Sequence, residues 1–206
     1  MVDEIDLTEY ATGSLFANPP NGEFHDLVAC TGENGGPYNF GAYAMGYMEA
    51  NRRLKGTLVD DPTMIDILIY PIVFNYRRAV ELGLRHLVFY LGAIYGTGDT
   101  PEMNHGLTNN WLILRPLIEK HRDAFNFKYP SLRREQLDGV ERLIKDLHSF
   151  DPSSFVFRYP ENKQGVAYIT GFNRIDVANV VGNMSLLENW FERLIEGIPE
   201  DLSDAQ

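Results

Sequence analysis

Tyr70-Pro71-Ile72-Val73-Phe74-Asn75-Tyr76-Arg77-Arg78-Ala79-Val80-Glu81-Leu82-Gly83-Leu84-Arg85-His86-Leu87-Val88-Phe89-Tyr90 is apolar at helical spacing, yet it carries charge on its apolar face. At about 100° per residue, Val73, Leu84, Val88, Tyr70 and Phe74 fall within about 60° of Arg77. Glu81 falls at about 40° and Arg85 at about 80°. Arg77 and Glu81 therefore stand in the middle of the apolar stripe, with Arg85 at its margin. Asn75, Arg78 and His86 fall on the opposite side, which a surface helix leaves to water.

Ions in an apolar setting need partners, because each costs several kcal/mol to desolvate. Arg77, Glu81 and Arg85 follow an i, i+4, i+8 spacing, so Glu81 can pair with both arginines. Two readings stay open. One is a buried Arg-Glu-Arg clamp that holds helices in register. The other is a polar pocket floored by that triad, with spare guanidinium donors for a phosphate or a partner chain.

Working outward, the spacing predicts a mostly α-helical bundle of about five helices with a small β-hairpin insertion. The first helix is expected from about Tyr38 to Lys55, closed by Gly56. The second starts near Pro62 with Asp61 as N-cap, is kinked or interrupted at Pro71, and ends before Gly92. A glycine-rich loop follows to Pro101. A third helix runs from about Asn104 to Leu114, where Pro116 kinks it or begins a new turn. A fourth spans Arg133 to His148 and a last one Asn173 to Glu196. Phe155–Tyr159 and Val166–Ile169 read as strands around a loop over 160–165. Segment 1–37, with turn clusters at 18–22 and 32–37 and a short strand at 24–29, reads as weakly structured. The domain then occupies 38–198, with a polar tail over 199–206.

Three further positions break the pattern. Arg158 alternates with Phe157 and Tyr159, so it is either a solvent-facing strand residue or a ligand contact. His105 opens a helix after a glycine-rich loop, where the positive helix end disfavours an imidazolium and favours the neutral base. It can equally be a loop or capping histidine. Arg115 and His121 carry the spacing of a ribonuclease pair, although chance produces such spacing often, and Pro116 biases Arg115 away from helix.

Composition narrows the rest. A formal charge of −11 argues against a broad nucleic-acid groove, but not against a small site that grips one phosphate with two or three arginines. The single cysteine, Cys30, allows no internal disulfide and no cysteine-rich zinc site. The five histidines have no metal-ligand spacing, so neither metal nor cofactor is expected. An acidic N-terminus and the lack of a long apolar run predict a cytoplasmic protein without a membrane span.

Four segments together resemble a widespread group of bacterial HEPN-like proteins. They are Ala42-Tyr43 with Gly46-Tyr47, Tyr76 to Arg85, His105-Gly106-Leu107 followed by Trp111, and Asp151 to Pro160. The resemblance spans about residues 38 to 195. It implies a helical, HEPN-like bundle that dimerises, and commonly a metal-independent RNase of toxin–antitoxin or antiviral defence systems. In active members an arginine and a histidine of an Arg-x(4–6)-His motif meet across the dimer. Here the positions that match the resemblance are Arg77, Glu81, Arg85, His105 and Arg158. Arg115 and His121 alone match the Arg-His spacing. The resemblance therefore implies Arg77 and Arg158 on phosphate, His105 as acid or base, Glu81 orienting the arginines, and Arg85 and Arg78 binding substrate. The alternative is a non-catalytic HEPN-like module of a defence complex that binds a nucleotide or a protein partner.

Overall fold

A computed structural model describes residues 29, 31–32, 38–122, 132–171 and 174–196. The expectations for 18–22 and 24–28, for Cys30 and for 199–206 lie outside them. The chain divides into two units, Met1–Tyr38 and Asn39–Gln206, and the second holds five helices. Among the described residues these are α1 (Phe40–Asp60), α2 (Ile65–Ile94), α3 (Leu107–Lys120), α4 (Arg134–Phe150) and α5 (Val177–Glu196). No strand occurs among the described residues, and no helix there is long and apolar enough to cross a membrane.

α1 and α2 form an antiparallel hairpin. Asn39 caps α1 by accepting from the Ala42 amide at 2.8 Å. The hairpin turn is a 3-10 turn, Pro62–Met64, in which Asp61 accepts from the Thr63 amide at 3.0 Å. Asn51, fully buried on α1, donates to the Ile72 carbonyl at 3.1 Å. At the far end Gly41 lies against the His86 ring, where an added Cβ would stand 2.7 Å from it. α5 runs antiparallel to α1, tied by Arg52–Glu192 at 2.6 Å and Lys55–Glu188 at 3.0 Å. Gly83 lets the Phe191 ring of α5 approach α2. Trp111, Trp190 and Phe191 meet edge-to-face in the core, with centroids 5.7 and 5.1 Å apart.

α2 is the central helix. Residues 79–88 are buried without a break, so no face of that stretch is wet. This corrects the expectation for His86, which is 7% exposed and packs on Tyr90 at 4.3 Å. A single apolar stripe is the signature of a surface helix; a helix covered on every side escapes that rule.

Several helix ends also differ from expectation. α1 continues through Gly56 to Asp60, because an exposed glycine weakens a helix without ending it. Pro71 interrupts nothing: α2 continues to Ile94, and Ile67, whose carbonyl the proline leaves without a donor, is 62% exposed. α3 likewise runs through Pro116, with Leu112 67% exposed on that turn.

The strands expected at Phe155–Tyr159 are absent. The Asp151 carboxylate accepts from the Phe155 and Val156 amides at 3.0 and 3.3 Å and curls the chain into a turn. The amides of Arg158 and Tyr159 both close on the Phe155 carbonyl at 3.1 Å. Val156 and Phe157 are both buried, which breaks the alternation read from the sequence. Beyond the turn, the hairpin is reduced to one antiparallel bridge, Glu161 to Ala167.

Candidate functional site

The segment between α2 and α3 does not leave the fold. It turns at Gly96 and Gly98, both at positive φ, and retraces α2 towards its middle. Gly92 makes room for it: a Cβ there would stand 2.4 Å from the Asp99 carbonyl oxygen. α3 then sets off parallel to α2, so that His121 at its end stacks on Tyr95 with ring centroids 3.6 Å apart.

A strap with no regular structure must satisfy its buried backbone groups through side chains. Asn110, 1% exposed, accepts from the Glu102 amide at 2.8 Å and donates to the Glu102 carbonyl at 3.0 Å. Arg85 donates from Nη2 to the carbonyls of Met103 and Asn104 at 3.0 and 2.8 Å. Arg77 donates from Nη2 to the His105 carbonyl at 2.8 Å, and from Nε to the Asp151 carbonyl at 2.8 Å. The charges on the apolar face of α2 thus hold the strap and the loop after α4 against the same helix.

Glu81 is their common counter-ion, 1% exposed. Its Oε2 meets Arg77 Nη1 at 3.0 Å. Its Oε1 meets Arg78 Nη1 at 2.9 Å, Arg85 Nη2 at 2.8 Å and His105 Nδ1 at 3.2 Å. Burial pulls the Arg77 and Arg85 guanidinium pKa values down, and the carboxylates of Asp151 and Glu81 oppose that pull. Three guanidinium groups face two carboxylates, a positive centre in a chain of net charge −11.

The cluster grades from buried to open. Arg77 is fully buried with its donors committed to backbone and Glu81, so the phosphate contact expected of it meets a group without surface. Arg85 has 6% of its side chain exposed, Arg78 30% and His105 50%. With Nδ1 on Glu81, the opposite ring nitrogen of His105, Nε2, is the one left for a ligand. Arg78, expected on a wet face, reaches round to Glu81 and joins the site.

Arg158 stands apart from this cluster. Its guanidinium lies 5.7, 5.5 and 5.2 Å from the ring centres of Phe74, Phe155 and Tyr159. Arg115 and His121 are not brought together. Arg115 faces α4, where it pairs with Asp138 at 2.6 Å and with Glu141, as well as with Glu119 at 3.0 Å. Those partners push its pKa up. His121 lies flat on Tyr95 with Nε2 buried and without a hydrogen-bond partner.

The sequence reading missed Asn110 and Asp151. Asn110 left no signal, since a buried asparagine within an amphipathic helix looks like any polar residue. Asp151 had one, the Asp-Pro-Ser-Ser break after α4, which reads as a turn before it reads as an arginine's partner. Among the described residues no group of three or more histidine, cysteine, aspartate or glutamate side chains could hold a metal ion. Compared with protein-family models, with curated proteins and with solved structures, the chain matches none.

Proposed function

We propose that this chain is a HEPN-like, metal-independent endoribonuclease of a bacterial defence or toxin–antitoxin system, acting as a homodimer. The observation that carries the reading is His105: a half-exposed imidazole whose Nδ1 lies 3.2 Å from a buried carboxylate, Glu81. That carboxylate orients the ring and leaves Nε2 as the nitrogen for a ligand. In this reading Nε2 removes the proton of an RNA 2′-hydroxyl. The 2′ oxygen bonds to the adjacent phosphorus, the bond to the 5′ oxygen breaks, and that oxygen takes a proton from water, whose hydroxide takes the proton held on Nε2. Arg78, the most exposed guanidinium of the cluster, holds the phosphate and its developing charge. Arg77 and Arg85 act as positioning residues through the strap.

The second reading, a non-catalytic module for RNA, a nucleotide or a protein partner, is favoured by one observation. Arg77 and Glu81, two of the four residues expected to carry the chemistry, are buried and committed to structure.

The test is cleavage of mixed RNA by the purified chain in chelator, with His105→Ala and Arg78→Ala beside it. Cleavage by wild type alone, leaving 2′,3′-cyclic phosphate ends and sparing DNA, is the expected result. Equal cleavage by His105→Ala would remove His105 from the chemistry. No cleavage by wild type, at a mass corresponding to two copies by light scattering, would favour the module.

A further inference from the structure

Tyr70, Phe74, Arg78, Glu81 and Arg85 lie on one stripe of α2, within about 80° of Arg78 at helical spacing. The lower half of that stripe runs under the turn at Phe155–Tyr159. There an open cavity of about 370 Å³ is lined by Tyr70, Val156, Phe157, Arg158, Tyr159, Pro160 and Ile169. Two of its aromatic walls are open to solvent, Tyr70 and Tyr159 each 48% exposed, and Phe155, which packs near Tyr159, is 39% exposed. The Arg158 guanidinium sits among these rings; among the described residues its one hydrogen bond is to the Tyr159 hydroxyl at 3.2 Å, and it pairs with no carboxylate there. The three arginines of α2, by contrast, each answer to Glu81, Asp151 or a backbone carbonyl.

The geometry points to a subsite for one unpaired RNA base, stacked on the Tyr70 and Tyr159 rings, with Arg158 on its flanking phosphate. Aromatic faces and an arginine without an acid are what sequence-tolerant single-strand binding uses. Phe74, under Arg158, precedes Glu81 by seven residues, about 10 Å along the helix axis. The base would therefore stand one to two nucleotides from the phosphate facing His105. Arg78 and the exposed Arg158 put local positive charge on the surface of a chain whose net charge is −11. This subsite rests on RNA as the ligand of the His105 site, though not on cleavage there.

The experiment is anisotropy with a labelled single-stranded RNA hexamer, 2′-O-methylated so that it cannot be cut, binding to the full chain. Wild type is compared with a Tyr70→Ala/Tyr159→Ala variant and with Arg158→Ala, and a second set of hexamers carries one abasic position. Both tyrosines are half exposed, so the variants are expected to fold, which equal melting temperatures check. The expected result is a loss of roughly five- to hundredfold for the double variant. One abasic position should cost wild type a similar factor and cost the double variant nothing. Arg158→Ala should weaken binding and flatten its salt dependence. Failure of wild type to bind, or an abasic penalty that persists unchanged in the double variant, would overturn the subsite. Tight, abasic-sensitive binding without cleavage of ordinary RNA would keep the subsite and remove the nuclease. Cleavage with binding indifferent to the tyrosines would do the reverse.

Discussion

Arg77 and Glu81 form an ion pair at 3.0 Å in which neither side chain has more than 1% of its surface in solvent. Both also serve other partners: Arg77 the carbonyls of His105 and Asp151, Glu81 two further arginines and His105. The pair is the point at which α2, the strap before α3 and the loop after α4 are joined.

Removing either member leaves an uncompensated buried charge. Arg77→Ala and Glu81→Ala should each lose about 3–5 kcal/mol in urea unfolding at neutral pH. A loss below about 1 kcal/mol would mean that water enters the site and the pair is not what joins these segments.

The strap depends on the absence of a side chain at residue 92. Gly92→Ala places a Cβ 2.4 Å from the Asp99 carbonyl oxygen, a backbone atom that cannot swing away. It should cost about 1–3 kcal/mol and speed hydrogen exchange across residues 99–106. Gly46→Ala, in open space on α1, should instead stabilise by about 0.5–1 kcal/mol. Equal effects of the two would show that the strap does not press on Gly92.

Asn110 stands in for the strand that Glu102 lacks. Asn110→Leu removes both bonds to the Glu102 backbone, a loss of about 1–3 kcal/mol. On the proposed ribonuclease reading, because the strap carries His105, RNA cleavage should fall more steeply than stability alone explains. Activity unchanged at a lowered melting temperature would separate the pin from the site.

Acid should weaken the fold through His86. Burial lowers its pKa from the ordinary 6.5 to about 4. The unfolded chain therefore binds the proton first. The contribution of neutral His86 is complete above about pH 6.5 and is lost as pH falls towards 4, up to about 3 kcal/mol. Burial also lowers the pKa of His148, with the same sign, whereas it raises that of Glu188, which works the other way. The difference between wild type and His86→Leu, followed by thermal melts from pH 7.5 to 4, isolates the term. A difference independent of pH would show that His86 is hydrated.

Helix content was legible because it rests on local spacing, and all five helices occur close to where periodicity places them. Their ends were less legible. Pro71, Pro116 and Gly56 are breakers only where nothing else covers the turn, and here packing on α2 or exposed carbonyls carry the helix through. The strand reading at Phe155–Tyr159 went astray because five residues of alternation weigh less than one aspartate capping two amides.

The candidate site divides in the same way. From sequence alone came the certainty that Arg77, Glu81 and Arg85 need partners on an apolar face, since charge burial is costly in any fold and their spacing sets one stripe. What Arg77 and Arg85 hold, however, are backbone carbonyls up to 75 residues away, and no local pattern encodes those. Nor could it encode that Arg77 is sealed while Arg78 and His105 open to solvent. Exposure belongs to the path of the strap over α2, and that path exists only once Gly92, Asn110 and the ion pair have closed around it.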